Sequence, residues 1–139
     1  MTAPPALGWE DKLAVMELIW RYNHAIDDGD ADGVADCFVP DGMFEGRSGE
    51  FVGRAQLRKL GMTWKETLYP RHIVSNILVT AHPTEAGVAE ARSHLFFYEV
   101  MASGFHFKTS GLYTDVVVKT GGAWKFRSRL MTLDQPKVE

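Results

Sequence analysis

Four long runs of alternating apolar and polar residues fill the second half of the chain, and they leave few architectures open. The predicted strands are His72–Thr80, Val88–Met101, Phe105–Val118 and Ala123–Leu133. Their connections are His82-Pro83, Ala102-Ser103-Gly104 and Gly121-Gly122, and the last two suit hairpins. Long strands joined this tightly pair antiparallel, and the sheet they make needs something to cover one face.

The first half supplies the cover. Trp9 to Asp28 reads as a helix, because Val15, Leu18, Ile19, Tyr22, Ala25 and Ile26 recur at three- and four-residue spacing. A second stripe, Met16, Trp20, Asn23 and Asp27, lies beside the first, while Glu17, Arg21, His24 and Asp28 occupy the remaining arc. So wide a buried face fits a helix lying in the mouth of a curved sheet. Gly29 ends it, and Asp30 caps a short helix over Ala31 to Phe38 with Val34, Cys37 and Phe38 inward. Pro40-Asp41-Gly42 is expected to turn the chain. Met43 to Glu45 and Phe51 to Val52 follow as short strands, and Gly53 to Lys65 as a third helix with Leu57, Leu60, Gly61 and Trp64 on one side. The expected fold is α+β, one sheet wrapped around a long helix, its apolar interior the default ligand site.

The chain's 139 residues suit a single domain over 1–139, with residues 1–8 expected to be flexible. A net charge of -3 argues against a nucleic-acid partner, since phosphate binding needs a concentrated basic surface. The most basic stretch, Lys125 to Arg129, is interrupted by Phe126 and Ser128 and reads as a strand with one polar face. No run approaches the roughly 18 apolar residues that span a membrane, and Met1 to Gly8 lacks the basic and apolar parts of a secretory signal. The lone Cys37 forms no intramolecular disulfide and reads as a small core residue, so a reducing, cytoplasmic setting is expected. His24, His72, His82, His94 and His106 show no metal-ligand spacing, and no phosphate loop or nucleophile motif is present; no metal and no cofactor are expected.

Two residues stand out chemically. Asp27 shares a stripe with Trp20 and Asn23, whereas Asp28 falls on the wet arc. A carboxylate directed into an apolar interior needs a partner. His72 is the leading one, in a strand whose alternation places His72, Val74 and Asn76 on one face. In an Asp–His pair the carboxylate fixes the imidazole's orientation and leaves its other nitrogen free to take a proton. The same pair also serves simply to tie helix to sheet, and spacing alone leaves both uses open. Tyr22 on the buried stripe and Tyr113 and Asp115 on a shared strand face are further polar candidates, whereas Arg92 and His94 read as a solvent-facing row.

Several short motifs, taken in order, resemble the SnoaL-like branch of the nuclear transport factor 2-like, or cone-fold, proteins. They are Tyr22-x4-Asp27-x-Gly29-Asp30, Pro40-Asp41-Gly42, Arg71-His72-x3-Asn76, Gly111-x-Tyr113-x-Asp115 and Trp124-Lys125-Phe126-x2-Arg129, spanning about 110 residues. The resemblance implies a cone-shaped α+β barrel with the N-terminal helices packed in a strongly curved, mainly antiparallel sheet. Asp27 and His72 match the catalytic dyad of scytalone dehydratase and of hexachlorocyclohexane dehydrochlorinase, and Arg129 matches the latter's last-strand arginine. Tyr22 matches the oxyanion tyrosine of ketosteroid isomerase, but that enzyme's base falls at Gly46, with Glu45 facing away. Scytalone dehydratase has a tyrosine where Ile26 stands, and the dehydrochlorinase a lysine where Tyr22 stands. The substrate therefore does not carry over.

Two readings follow. In the first the chain is a cofactor-independent lyase, dehydratase-like, acting on an apolar cyclic small molecule. His72 is its base, Asp27 its charge balance, and Arg129 and Tyr22 stabilise developing negative charge. Met16, Trp20, Met43, Phe44, Leu95 and Phe97 would supply the apolar surround, with Asn76 and Tyr113 as further substrate contacts. An isomerase or polyketide cyclase is the nearest variant. In the second the fold is a non-catalytic binding or subunit-association module. Both are compatible with a homodimer formed sheet to sheet through the outer face bearing Phe96, Tyr98 and Val116 to Val118.

Overall fold

The computed structural model describes residues 6–135. Three helices, α1 (Trp9–Asp27), α2 (Ala31–Asp36) and α3 (Gly53–Gly61), pack against a six-stranded sheet. Its strands are β1 (Phe38–Gly46), β2 (Gly49–Val52), β3 (Tyr69–Ala81), β4 (Val88–Met101), β5 (Gly104–Thr120) and β6 (Ala123–Leu133). They run in the order β2-β1-β6-β5-β4-β3, so the curved sheet is open, with β2 and β3 at its edges. Only β1 and β6 pair in parallel; the other neighbours are antiparallel. Among the described residues no helix is long and apolar enough to cross a membrane.

The apolar stripe of α1 explains its place. Val15, Leu18, Ile19, Tyr22 and Ile26 are buried against the sheet's inner face, in one core with Phe38, Phe44, Leu95, Phe97, Tyr113 and Phe126. Gly29 adopts φ 67°, a left-handed conformation cheap for glycine, and ends the helix. The Asp30 carboxylate then accepts from the Gly33 N–H at 2.9 Å and caps α2. Residues 1–5, most of the segment expected to be flexible, lie outside the described residues; of the remainder, Leu7 packs against the core.

The short elements depart from expectation. Pro40-Asp41-Gly42 does not separate two elements: it sits inside β1, where pairing with β6 breaks between Phe38 and Met43. The turn residues bow the strand out and let it resume. Helix α3 stops at Gly61 rather than Lys65. Gly61 packs so closely on α2 that an added Cβ would lie 2.9 Å from the Ala31 Cα. The Thr63 hydroxyl donates to the Leu60 carbonyl at 2.7 Å, and the chain leaves the helix in time to aim Trp64 at the sheet.

Three β-bulges set which residues face inward. On β3, Asn76 and Ile77 together oppose Ser93, since pairing jumps from Ser75–His94 to Leu78–Arg92. On β5, Lys108 is the extra residue between Phe107 and Thr109. On β6, Arg127 is extra, because Val117 pairs with Phe126 and Val116 with Ser128. The last bulge corrects the polar-face reading of Lys125 to Arg129. Strict alternation would put Lys125, Arg127 and Arg129 on one face, but beyond the bulge Arg129 turns into the core.

Candidate active site

Asp27 is the last residue of α1, where the helix's unsatisfied carbonyls disfavour a second negative charge. Its compensation comes from β3. The His72 backbone N–H donates to both carboxylate oxygens at 3.1 Å each, and the ring Nδ1 lies 2.5 Å from Oδ1. Only a proton on Nδ1 makes that last contact a hydrogen bond to a carboxylate, which leaves Nε2 as the bare nitrogen of the neutral ring. Nε2 makes no hydrogen bond to the described residues. The imidazole is held flat against Phe97, with centroids 4.2 Å apart and planes 24° apart, and its centroid is 5.9 Å from that of Trp64.

The ring borders a cavity of about 510 Å³ inside the cone. Ile26, Phe44, Leu60, Trp64, Leu95 and Phe97 give it apolar walls, and Tyr22, His72 and Tyr113 complete the lining beside them. The Tyr22 hydroxyl is buried without a hydrogen-bond partner. Burial holds the Tyr22 phenol well above its ordinary pKa and pushes Tyr113 up to about 12, so both remain donors at neutral pH. A second hollow of about 400 Å³ also borders the dyad and is lined by Trp20, Asn23, His24, Asp27, Arg71 and His72. His72 thus borders both hollows, and Asp27 the second alone.

The other expected site residues divide. Tyr22, Phe44 and Tyr113 line the cone's interior with His72. Trp20 does not: it is exposed, at the edge of the second hollow, although Asn23 and Asp27 on the same stripe are largely covered. Asn76 does not either. The β3 bulge gives it φ 55° and turns it to solvent, breaking the alternation that placed it with His72 and Val74. Arg92 and His94 face solvent, as read.

Arg129 reaches the core but not the cavity wall. Its side chain is fully buried, with the guanidinium 3.7 Å from the centre of the Tyr113 ring, 4.4 Å from that of Tyr22 and 4.7 Å from that of Phe126. Asp115, its partner across the β5–β6 ladder, places Oδ1 3.1 Å from Nε. The N–H does not point at that oxygen, so the pair is held by charge and by the aromatic faces rather than by an aligned hydrogen bond. Burial pushes the Asp115 carboxyl up to about 6, against the opposing pull of Arg129. The Cys37 thiol is pushed to about 11 by burial and contacts the Gly33 carbonyl at 3.3 Å, a core role.

Some lining residues escaped the sequence reading. Trp64 was assigned to a helix face, and Arg47, Ser48, Thr63, Lys108 and Thr109, all at the cavity, were not singled out. The only available signal was the Gly-rich bend at Gly46 to Gly49; nothing in the strand pattern marks the Lys108 bulge. Among the described residues no three His, Cys, Asp or Glu side chains converge as metal ligands.

Comparison with known proteins agrees with this architecture. A family model described as a SnoaL-like domain matches residues 9–130. No curated protein matches the chain in sequence. A solved structure of a protein of unknown function from Mycobacterium tuberculosis is 29% identical, with a TM-score of 0.84 over 92% of this chain and 74% of that one. A Novosphingobium aromaticivorans protein provisionally named an aromatic ring hydroxylase is 28% identical, with a TM-score of 0.80 over 94% and 93%. Another from the same organism, provisionally named a scytalone dehydratase, is 21% identical, with a TM-score of 0.75 over 91% and 85%; that likeness is one of fold.

Proposed function

This chain belongs to the SnoaL-like domain family, and from that premise we propose that it is a lyase of the dehydratase kind whose acid–base groups all come from the chain itself. The observation that carries the reading is the Asp27–His72 contact of 2.5 Å on the wall of an apolar cavity. A dyad that merely ties helix to sheet does not need an open cavity beside its imidazole.

The substrate is an apolar cyclic molecule with a hydroxyl beside an acidic C–H. His72 Nε2 takes the proton from carbon, the C–H electrons become the new double bond, and the C–O bond breaks. The imidazolium returns its proton to the departing hydroxide, so the products are the alkene and one water. Asp27 balances the imidazolium while it lasts and keeps the ring in one orientation. Tyr22 is the hydrogen-bond donor for the substrate oxygen, since its buried hydroxyl has no other partner. Arg129 acts as a positioning residue: it stacks under Tyr22 and Tyr113 and touches no substrate.

Incubation with a panel of hydroxylated bicyclic ketones, followed by mass spectrometry, tests the reaction type. Loss of one water is expected. Unchanged mass with a shifted ultraviolet spectrum would replace this reading with an isomerase or cyclase, and binding without turnover would replace it with a binding module. Association of two copies through their sheets is supported by an aromatic patch on the outer face. Phe105 is 79% exposed and Phe107 60% exposed, with Phe96 5.0 Å from the Phe107 ring. A dimer mass in sedimentation is expected, and a monomer at all concentrations would refute it.

A further inference from the structure

The cavity that holds His72 is lined by two cationic side chains, Arg47 and Lys108, and by no carboxylate. In a chain of net charge -3 with more acids than bases, that local balance runs against the average. Arg47 sits in the bend between β1 and β2 and forms no ion pair among the described residues. Lys108 is the extra residue of the β5 bulge. Phe107 turns its ring to Phe96 on the outer face, whereas Lys108 and Thr109, successive residues that a regular strand would face oppositely, both line the cavity; the bulge allows that placement. Lys108 also forms a loose ion pair, 3.8 Å, with the buried carboxylate of Glu99, which is not part of the lining, and keeps 43% of its side chain exposed. The hydroxyls of Ser48, Thr63 and Thr109 line the same cavity and add donors.

Resting on the reading of this cavity as the substrate site, we infer that the substrate is anionic: a ring system carrying a carboxylate. Its apolar body lies against Trp64 and Phe97, and its carboxylate meets Arg47 and Lys108. A guanidinium and an ammonium at an otherwise apolar cavity, with hydroxyl donors beside them, match a carboxylate in charge and in hydrogen-bond demand. The same anchor fixes which end of the molecule enters first and so which carbon is presented to His72.

Isothermal titration with naphthoate and with its neutral isostere naphthamide separates charge from shape. Wild-type protein is expected to bind naphthoate about tenfold more tightly than naphthamide, the scale of one charge-assisted contact at a partly solvated site. Replacing both cations (Arg47→Gln with Lys108→Gln) is expected to bring the affinities of the two compounds together, and added salt to narrow their difference in the wild type. Equal affinity for the two compounds in the wild type, or a preference that survives the double substitution, overturns the anionic substrate but leaves the cavity as a binding site. Failure of both compounds to bind overturns the two readings together.

Discussion

Among the described residues two pairings of a carboxylate with a basic side chain have both partners largely buried, and they are built for different ends. In Asp27–His72 the side chains keep 12% and 7% of their surface exposed; in Asp115–Arg129 both keep none. The first pair joins a helix end to a strand near the sheet's edge, with short, directed hydrogen bonds and two hollows bordering its imidazole. The second lies across the β5–β6 ladder, sealed by three aromatic rings, with its charges close but its N–H groups misaligned. Proton transfer needs a group that is fixed at one nitrogen and open at the other, and only His72 meets both conditions. Arg129 carries a permanent charge that nothing solvates except its neighbours, so it shapes the core beneath the site.

Breaking the sealed pair should have the largest effect. Arg129→Met leaves the buried Asp115 carboxyl without its counter-charge and strips three aromatic faces of their cation, and should cost about 3–5 kcal/mol in urea denaturation. Removing both charges, Asp115→Leu with Arg129→Met, should cost less than that single change. A cost near zero for Arg129→Met would mean that the guanidinium contributes nothing to the core that a methionine does not.

Next in size is the open pair. Asp27→Asn keeps an oxygen for the His72 backbone N–H but removes the charge that balances an imidazolium. Turnover should fall about a hundredfold, while stability drops by about 1–3 kcal/mol. Steady-state rates and urea melts on the same preparation separate the two effects; a stability loss with an unchanged rate would reduce the dyad to a structural tie.

The sealed pair also predicts a pH dependence. Asp115 has a folded-state pKa of about 6, above the roughly 4 of an unfolded aspartate, so the folded protein holds that proton more tightly. The stabilisation is therefore complete below pH about 4 and is lost as pH rises through about 6, on the order of 2 kcal/mol in total. The difference in unfolding free energy between wild type and Asp115→Asn should fall across that window. A flat difference would place the Asp115 carboxyl back in the ordinary range.

The contrast between the pairs also marks what the sequence could reveal. Asp27 was separable from Asp28 because helical periodicity is a local property, and a stripe of seven buried residues along α1 is hard to misread. His72 followed from alternation within a few residues of the strand. The ends of β4 and β6 were equally legible, since hairpin glycines punctuate them. Alternation puts Asn76 on the wrong face and gives no facing for Arg129 or Lys108, because each lies at or beyond a bulge, and one inserted residue reverses every facing that follows. That information sits in the pairing between strands, which no window along one strand contains. Resemblance alone points to Arg129, and Trp64 reaches the cavity from the segment beyond a helix that stops at Gly61.

The smallest effect should come from Trp20, which alternation of stripes had placed in the site. Trp20→Ala should change kcat/KM by less than about twofold, as a surface change remote from the cavity does. A larger loss would show that the second hollow takes part in binding.

The central claim is that His72 removes a proton from substrate carbon. Its most direct measurement is the rate of water loss from the best compound of the panel with wild type and with His72→Ala, each checked by circular dichroism. The substitution should lower the rate by about 10²-fold to 10⁴-fold with the fold retained; a folded His72→Ala protein that dehydrates at the wild-type rate would contradict the account.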